Sequence, residues 1–412
     1  MTTKQSKGLR GFLIDAPEPG RLRGIRDGAV WIEDGVIAAV GPFDEVRRML
    51  GTERIQWQHS PEAVIVPGLV GLRANLSQYS AVTRVGRQAD LAEREFNAAA
   101  AREFAPLFFE ALARNGTTCA MLRAAASEES CEVVFEEAEK FGARVILGMT
   151  LADAGRALES GERLCRKWHG RDGGRLEYVF CPRDADACGE EFLRETALLA
   201  RKFDAFLQAP LAETRDGKTA VYDDCGLLGD RSVLAHCIHL DDEEIRLLVE
   251  SRSAVAHCPT SDLFLNSGIM PLDCMLDAGL RVGLGSDVAG GPELDLWRVM
   301  RCAIESQKAR SFYQSGVRVP TVAEVFYLAT LGGACALGKE AVIGTLDLGK
   351  DADLVVLDLA HALPYGARGN VHCDLSAEEV ITMLVYRGGP ATVVETFVRG
   401  ASIYRAPAPL LF

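Results

Sequence analysis

The chain has no uninterrupted apolar stretch of about eighteen residues or more, which leaves no hydrophobic segment fit to cross a membrane as a helix. Its opening stretch, MTTKQSKGLRGFLIDAPEPG, contains no apolar run of signal-peptide length, so a cytoplasmic protein without a membrane partner is expected. Dense Lys/Arg clusters are also missing. A formal charge of −13 repels phosphate backbones, and nucleic acid is excluded as a partner on that ground. The 12 cysteines never fall in CxxC spacing, and several, such as Cys119, Cys237 and Cys258, sit inside apolar runs. Reduced core thiols are expected, not disulfides or a zinc knot. There is no solenoid-period repeat and no low-complexity tract. With 48% apolar and 25% charged residues, the 412-residue chain can bury a sizeable core.

What is present is a recurring alternation of short apolar runs and helical stretches from residue 65 onward. Eight runs stand out: 64–72, 117–124, 144–151, 176–182, 204–209, 231–237, 253–259 and 281–287. Segment 90–116, with apolar residues at helical spacing and an Asn-Gly stop, is one of the intervening helices. This pattern predicts a (β/α)8 barrel of the TIM type, with function at the C-terminal ends of its strands. The flanks are strand-like. Residues 28–41 alternate apolar and polar positions around Asp34-Gly35, a hairpin signal, and 343–357 and 393–405 also read as strands. The expected organisation is a barrel over 67–342 and a small β-sandwich domain composed of 1–66 together with 343–412.

The segments PGLV at 67–70, SQYS at 77–80, NGTT at 115–118, CPRDADAC at 181–188, AETRD at 212–216, VLAHCIHL at 233–240, VAHCPTSDLFLNSG at 255–268, GLGSDVAGG at 283–291 and LATLGGACALG at 328–338 together resemble the amidohydrolase superfamily, within it the guanine deaminases. The resemblance spans nearly the whole chain and implies a metal-dependent hydrolase barrel with a small β domain. It also implies a homodimer, and a chemistry in which metal-activated hydroxide attacks the amine-bearing carbon of an aromatic ring. On this basis Glu213 corresponds to the proton-shuttling glutamate, His236 to the histidine after strand six, and Asp287 to the aspartate that binds metal after strand eight. Gln78 and Arg183 correspond to positions that contact the purine, so a purine-like small molecule is the expected partner.

The metal's histidines are absent. Arg73 and Asn75 stand where the family has His-x-His, and Pro210 stands where it has the third histidine, three residues before the glutamate. Arginine keeps its proton and proline has no side-chain lone pair, while an asparagine carbonyl suits hard cations better than zinc. Asp287, with His236 as a possible neighbour, makes too small a donor set for a site that ordinarily keeps three protein ligands. No metal is therefore expected at full occupancy.

Each position also has a plainer reading. Glu213 could be a rim carboxylate held by Arg215, Arg183 a surface arginine, Asp287 a helix cap, and His236 and His257 hydrogen-bonded core histidines. For His257 the core reading is kept. The His-Cys pairs 236–237, 257–258 and 372–373 do not indicate metal, because adjacent strand residues face opposite sides. The expectation is a ligand- or partner-binding protein with impaired or lost catalysis. The alternative is an active deaminase or other C–N hydrolase on an aminated heterocycle, with zinc or iron in a site rebuilt from Cys181, Cys188 or His239. Metal-free chemistry on a related ring is a third option, for which no nucleophile–base pair is visible. Without the metal, Asp287 and Glu213 must protonate or find another cation. Arg73, projecting from the first barrel strand, is expected to pair with one of them.

Overall fold

A computed structural model describes residues 6–51, 56–59, 62–83, 87–125, 127–152, 156–183, 187–215, 218–363 and 375–407. Its strands fall into two sheets. The first contains β1 (Ser6–Glu18), β2 (Arg21–Glu33), β3 (Val36–Pro42), β4 (Trp57–Gln58) and β5 (Val64–Pro67) from one end of the chain. The second contains β6 (Leu69–Asn75), β7 (Thr117–Ala125), β8 (Arg144–Leu151), β9 (Leu176–Pro182), β10 (Phe206–Leu211), β11 (Ser232–His236), β12 (Ala254–His257) and β13 (Arg281–Leu284). From the other end, β14 (Leu354–Leu357), β15 (Val393–Val398) and β16 (Ala401–Arg405) join the first sheet.

The second sheet is the expected barrel. Its strands lie side by side in sequence order, and every pair is parallel. At the C-terminal rim the first and last strands are stitched by the Asp287 N–H, which donates to the Arg73 carbonyl at 2.9 Å, and by the Asn75 N–H, which donates to Val288. Inside, Val70, Leu72, Met121, Ile146, Val179 and Phe206 pack with Ala334 and Leu337 of the segment after β13, giving a dry floor.

The terminal strands form one continuous mixed sheet, in the order β16-β15-β14-β5-β1-β2-β3, so both chain ends build the small β domain as expected. The β2–β3 hairpin turns at Asp34 and Gly35, whose φ values of 50° and 87° meet the demand of a two-residue turn for left-handed backbone. Arg144 at the start of β8 ties this sheet to the barrel. It is buried, and its guanidinium donates to Asp353 at 2.7 Å and to Asp351 at 2.6 Å.

Two sequence expectations are refined. The apolar run 64–72 is not one strand: it divides at Gly68 into β5 of the terminal sheet and β6 of the barrel. A Cβ at Gly68 would fall inside the Thr118 side chain, so the crossing between sheets depends on a residue without one. Segment 90–116 likewise breaks into helices Arg87–Glu95 and Ala98–Arg114. Asn97 separates them, its side chain accepting from the Ala99 and Ala100 N–H groups as an N-cap.

Candidate active site

A register shift in β6 between Gly71 and Ala74 decides what faces the barrel mouth. Val70 and Leu72 point into the dry floor, and the extra residue lets Arg73 and Asn75 also turn inward. Opposite them, the backbone adopts left-handed conformations at Ala212, His236, Cys237 and Asp287, with φ of 46°, 74°, 52° and 47°. Such conformations are costly for residues with a Cβ and cluster at functional sites. Here they end the strands and swing His236 and Asp287 over the mouth.

Asp287 is the centre of the arrangement. Arg73 Nε donates to its Oδ1 at 2.7 Å and Asn75 Nδ2 to the same oxygen at 3.1 Å, while Ser261 Oγ donates to Oδ2 at 2.8 Å. The Arg73 and Asp287 side chains are only 5% and 4% exposed, so the ion pair is a buried one. Burial alone would raise the Asp287 pKa. The charges of Arg73 and His236 and the hydrogen bonds from Ser261 and Arg73 more than offset it and hold the carboxyl below its ordinary range. The ion pair expected of Arg73 is therefore present, with Asp287 as the partner.

His236 faces three carboxylates. Its Nδ1 is 2.8 Å from Asp262 Oδ1, and its Nε2 lies 3.8 Å from Glu213 Oε2 and 3.9 Å from Asp287 Oδ2. Burial lowers the His236 pKa, but the Asp262 hydrogen bond and the Asp287 charge raise it further, and the net direction is upward. Asp262 is pushed up to about 6 by its own burial, with His236 pulling the other way. Glu213 is one-third exposed and accepts from Ser267 Oγ at 3.1 Å.

Gln78 and Arg183 converge, though through an intermediary that the sequence did not reveal. Both donate to the buried Glu93, at 3.2 and 3.3 Å to the same oxygen. Arg183 keeps 40% of its side chain exposed. Pro210 shares the inward face of β10 with Phe206 and Gln208, and it offers the mouth a ring without a donor atom.

Several plainer readings are corrected. Asp287 does not cap a helix: its carboxylate is spent on side chains. Glu213 is engaged by Ser267 and lies beside His236, and among the described residues Arg215 makes no ion pair with it. His257 is a core residue, but both its ring nitrogens are buried without a hydrogen-bond partner, and burial, then the His236 charge, brings its pKa down to about 3. Cys181 and Cys188 donate weakly to the Val179 and Leu151 carbonyls, and His239 Nε2 contacts the Ser267 carbonyl at 2.9 Å. Burial pushes the Cys181 thiol up to about 12, away from the thiolate a metal needs. His372 and Cys373 lie outside the described residues.

The donor chemistry can be compared with what a zinc ion requires. Among the described residues, no group of three or more His, Cys, Asp and Glu side chains comes together in a way that could hold a metal. Both Asp287 oxygens already accept hydrogen bonds, and Arg73 Nε sits against the carboxylate. A dication beside that guanidinium would meet a fixed positive charge. The residues present do not fit the metal.

Comparison with known proteins places this geometry. Residues 64–403 match the amidohydrolase family. Guanine deaminase of Escherichia coli (strain K12) is 28% identical, the alignment covering 97% of this chain and 98% of that protein. A 5-methylthioadenosine/S-adenosylhomocysteine deaminase of Haloarcula marismortui is 33% identical over 72% of this chain and 73% of its own length. The solved structure of the E. coli guanine deaminase superposes with a TM-score of 0.88 at 27% identity, covering 98% of this chain and all of that one. Among the described residues, no helix is long and apolar enough to cross a membrane.

Proposed function

The chain belongs to the amidohydrolase family and is related to the guanine deaminases, and from that premise we propose that it is a deaminase-like protein whose metal centre has been replaced by the Arg73–Asp287 ion pair. Catalysis by hydroxide is impaired or lost, and the barrel mouth serves to bind a purine-like small molecule. The observation carrying this reading is the commitment of Asp287. Its two oxygens accept from Arg73, Asn75 and Ser261, and the cation that neutralises it belongs to the chain itself.

The chemistry follows from the charge. A bound metal brings the pKa of its water to about 7 from about 15.7, and an arginine, lacking a site for water to coordinate, does not. Arg73 can stabilise Asp287 but cannot generate the nucleophile. What remains able to act on a ligand is binding machinery: Gln78 and Arg183 as donors, and His236 held in place by Asp262.

A second reading, an active hydrolase of C–N bonds in a purine or related heterocycle, is favoured by one observation. Glu213, His236 and Asp287 still face one another at 3.8 and 3.9 Å, an arrangement suited to moving protons. One assay separates the two. Purified full-length protein is incubated with guanine, with and without added zinc, and ammonia release is followed. The proposal expects no release above the enzyme-free control in either condition, and ordinary turnover would sink it.

A further inference from the structure

Arg123 is a cation in the mouth that the arrangement around Asp287 does not use. It follows Cys119 and Met121 at alternate positions on the inward face of β7, in register with Asn75 on one side and Gly148 on the other. Its Nε is buried with no hydrogen-bond partner, and among the described residues its guanidinium enters no ion pair. Of the carboxylates whose charge reaches it, Asp287 is paired with Arg73, and one oxygen of Glu93 is taken by Gln78 and Arg183. Burial, and then the like charge of Arg73, both disfavour the Arg123 cation, and attraction from Glu93 and Asp287 offsets only part of that. Arg123 as a whole is half-buried, so its unpaired guanidinium is within reach of a ligand that enters the mouth.

The neighbouring groups show what kind of partner is suited to the place. Gln78 and Arg183 are both donors, and they clasp a carboxylate oxygen of Glu93. The second oxygen of Glu93, Oε1, is buried without a partner. A carboxylate of the chain thus already stands among donors that the family resemblance assigns to a purine. An exocyclic amine brought to this end of the mouth would set donor against donor at Arg73 and Arg123, which have no acceptor atoms. An oxygen-bearing edge accepts from the guanidinium fork, and a negative one also neutralises it.

Building on the reading of the mouth as a ligand-binding site, we propose that its ligand is an acidic oxopurine bound as the anion, with its oxygen edge on Arg123, and not a neutral aminopurine. The donor face left open by the loss of the metal then binds the oxidised, amine-free form of the ring. Ligand charge, more than ring shape, sets the affinity.

The test is calorimetric titration of the full chain with urate, a monoanion at neutral pH, and with hypoxanthine, a neutral oxopurine, for the wild type and Arg123→Met. Urate is expected to bind the wild type about tenfold tighter than hypoxanthine or better, and Arg123→Met is expected to erase the difference. Without ligand, Arg123→Met should unfold at no lower a temperature than wild type, because Arg123 makes no hydrogen bond or ion pair among the described residues to lose. Equal affinity for the two purines overturns the anion assignment, as does unchanged urate affinity in Arg123→Met, whichever way its melting temperature moves. A lower melting temperature of the unliganded variant makes Arg123 a structural group and also overturns it. If neither purine binds, the proposal fails while the loss of deamination remains a separate result, since ammonia release from guanine alone decides that.

Discussion

Replacing Arg73 with methionine removes the guanidinium while keeping most of the side chain's reach. Asp287 is 4% exposed and would be left with only Asn75 and Ser261 as donors. Breaking a buried pair by deleting one partner costs about 3–5 kcal/mol, most of it the penalty of the stranded charge. Hydrogen bonds to a charged group contribute about 1.5–3 kcal/mol, and the two that survive keep the loss toward the lower end of that range. Arg73→Met should therefore lower stability by about 3 kcal/mol in urea denaturation. Combining it with Asp287→Asn, which removes the stranded charge, should recover a large part, giving a coupling energy of about 2 kcal/mol. The Asp287 carboxyl should also titrate higher in Arg73→Met, because the charge and hydrogen bond that depress it are lost. If Arg73→Met stays within about 1 kcal/mol of wild type, the pair behaves like an exposed one and the charge-replacement argument is wrong.

The triple change Arg73→His, Asn75→His and Pro210→His restores the imidazoles at the family's ligand positions and frees Asp287; zinc binding measured by dialysis should appear at about one per chain. A folded triple variant that binds none would show that the mouth has moved beyond its lost ligands. For pH, His236 has a pKa raised above its ordinary 6.5, so its contribution is complete below that value and is lost as pH rises through the elevated one. The stability advantage of wild type over His236→Asn should shrink as the solution goes from mildly acidic to alkaline, and urea midpoints that diverge over this range would contradict the charge assignment.

The barrel was legible because each β run carries its own signal, and the hairpin at Asp34-Gly35 because left-handed turns demand those residues. That residues 73, 75 and 210 are not histidines was legible too, since it depends only on residue type. Even the Arg73–Asp287 pair followed from closure of the barrel, which makes the first and last strands neighbours. What could not be read were the pairings that tertiary structure alone creates. Ser261, Asp262 and Ser267 lie inside the quoted segment at 255–268, but nothing local says that they turn toward Asp287, His236 and Glu213. Glu93 sits in the strongly polar stretch RQADLAERE, where a solvated glutamate is the natural expectation, yet it is buried against Gln78 and Arg183. Arg123 reads as a polar interruption in TTCAMLRA, and only the alternation set by Cys119 and Met121 hinted that it faces inward. The division of residues 64–72 at Gly68 was hidden because both halves are apolar and both are strands.

On the proposed reading, a cation of the chain has taken the place of the metal. This is tested most directly by elemental analysis of protein purified without chelators from cells supplied with zinc and iron. Zinc and iron together should lie far below one per chain, with dialysis against zinc leaving no tightly held ion. One firmly bound metal per chain would contradict it.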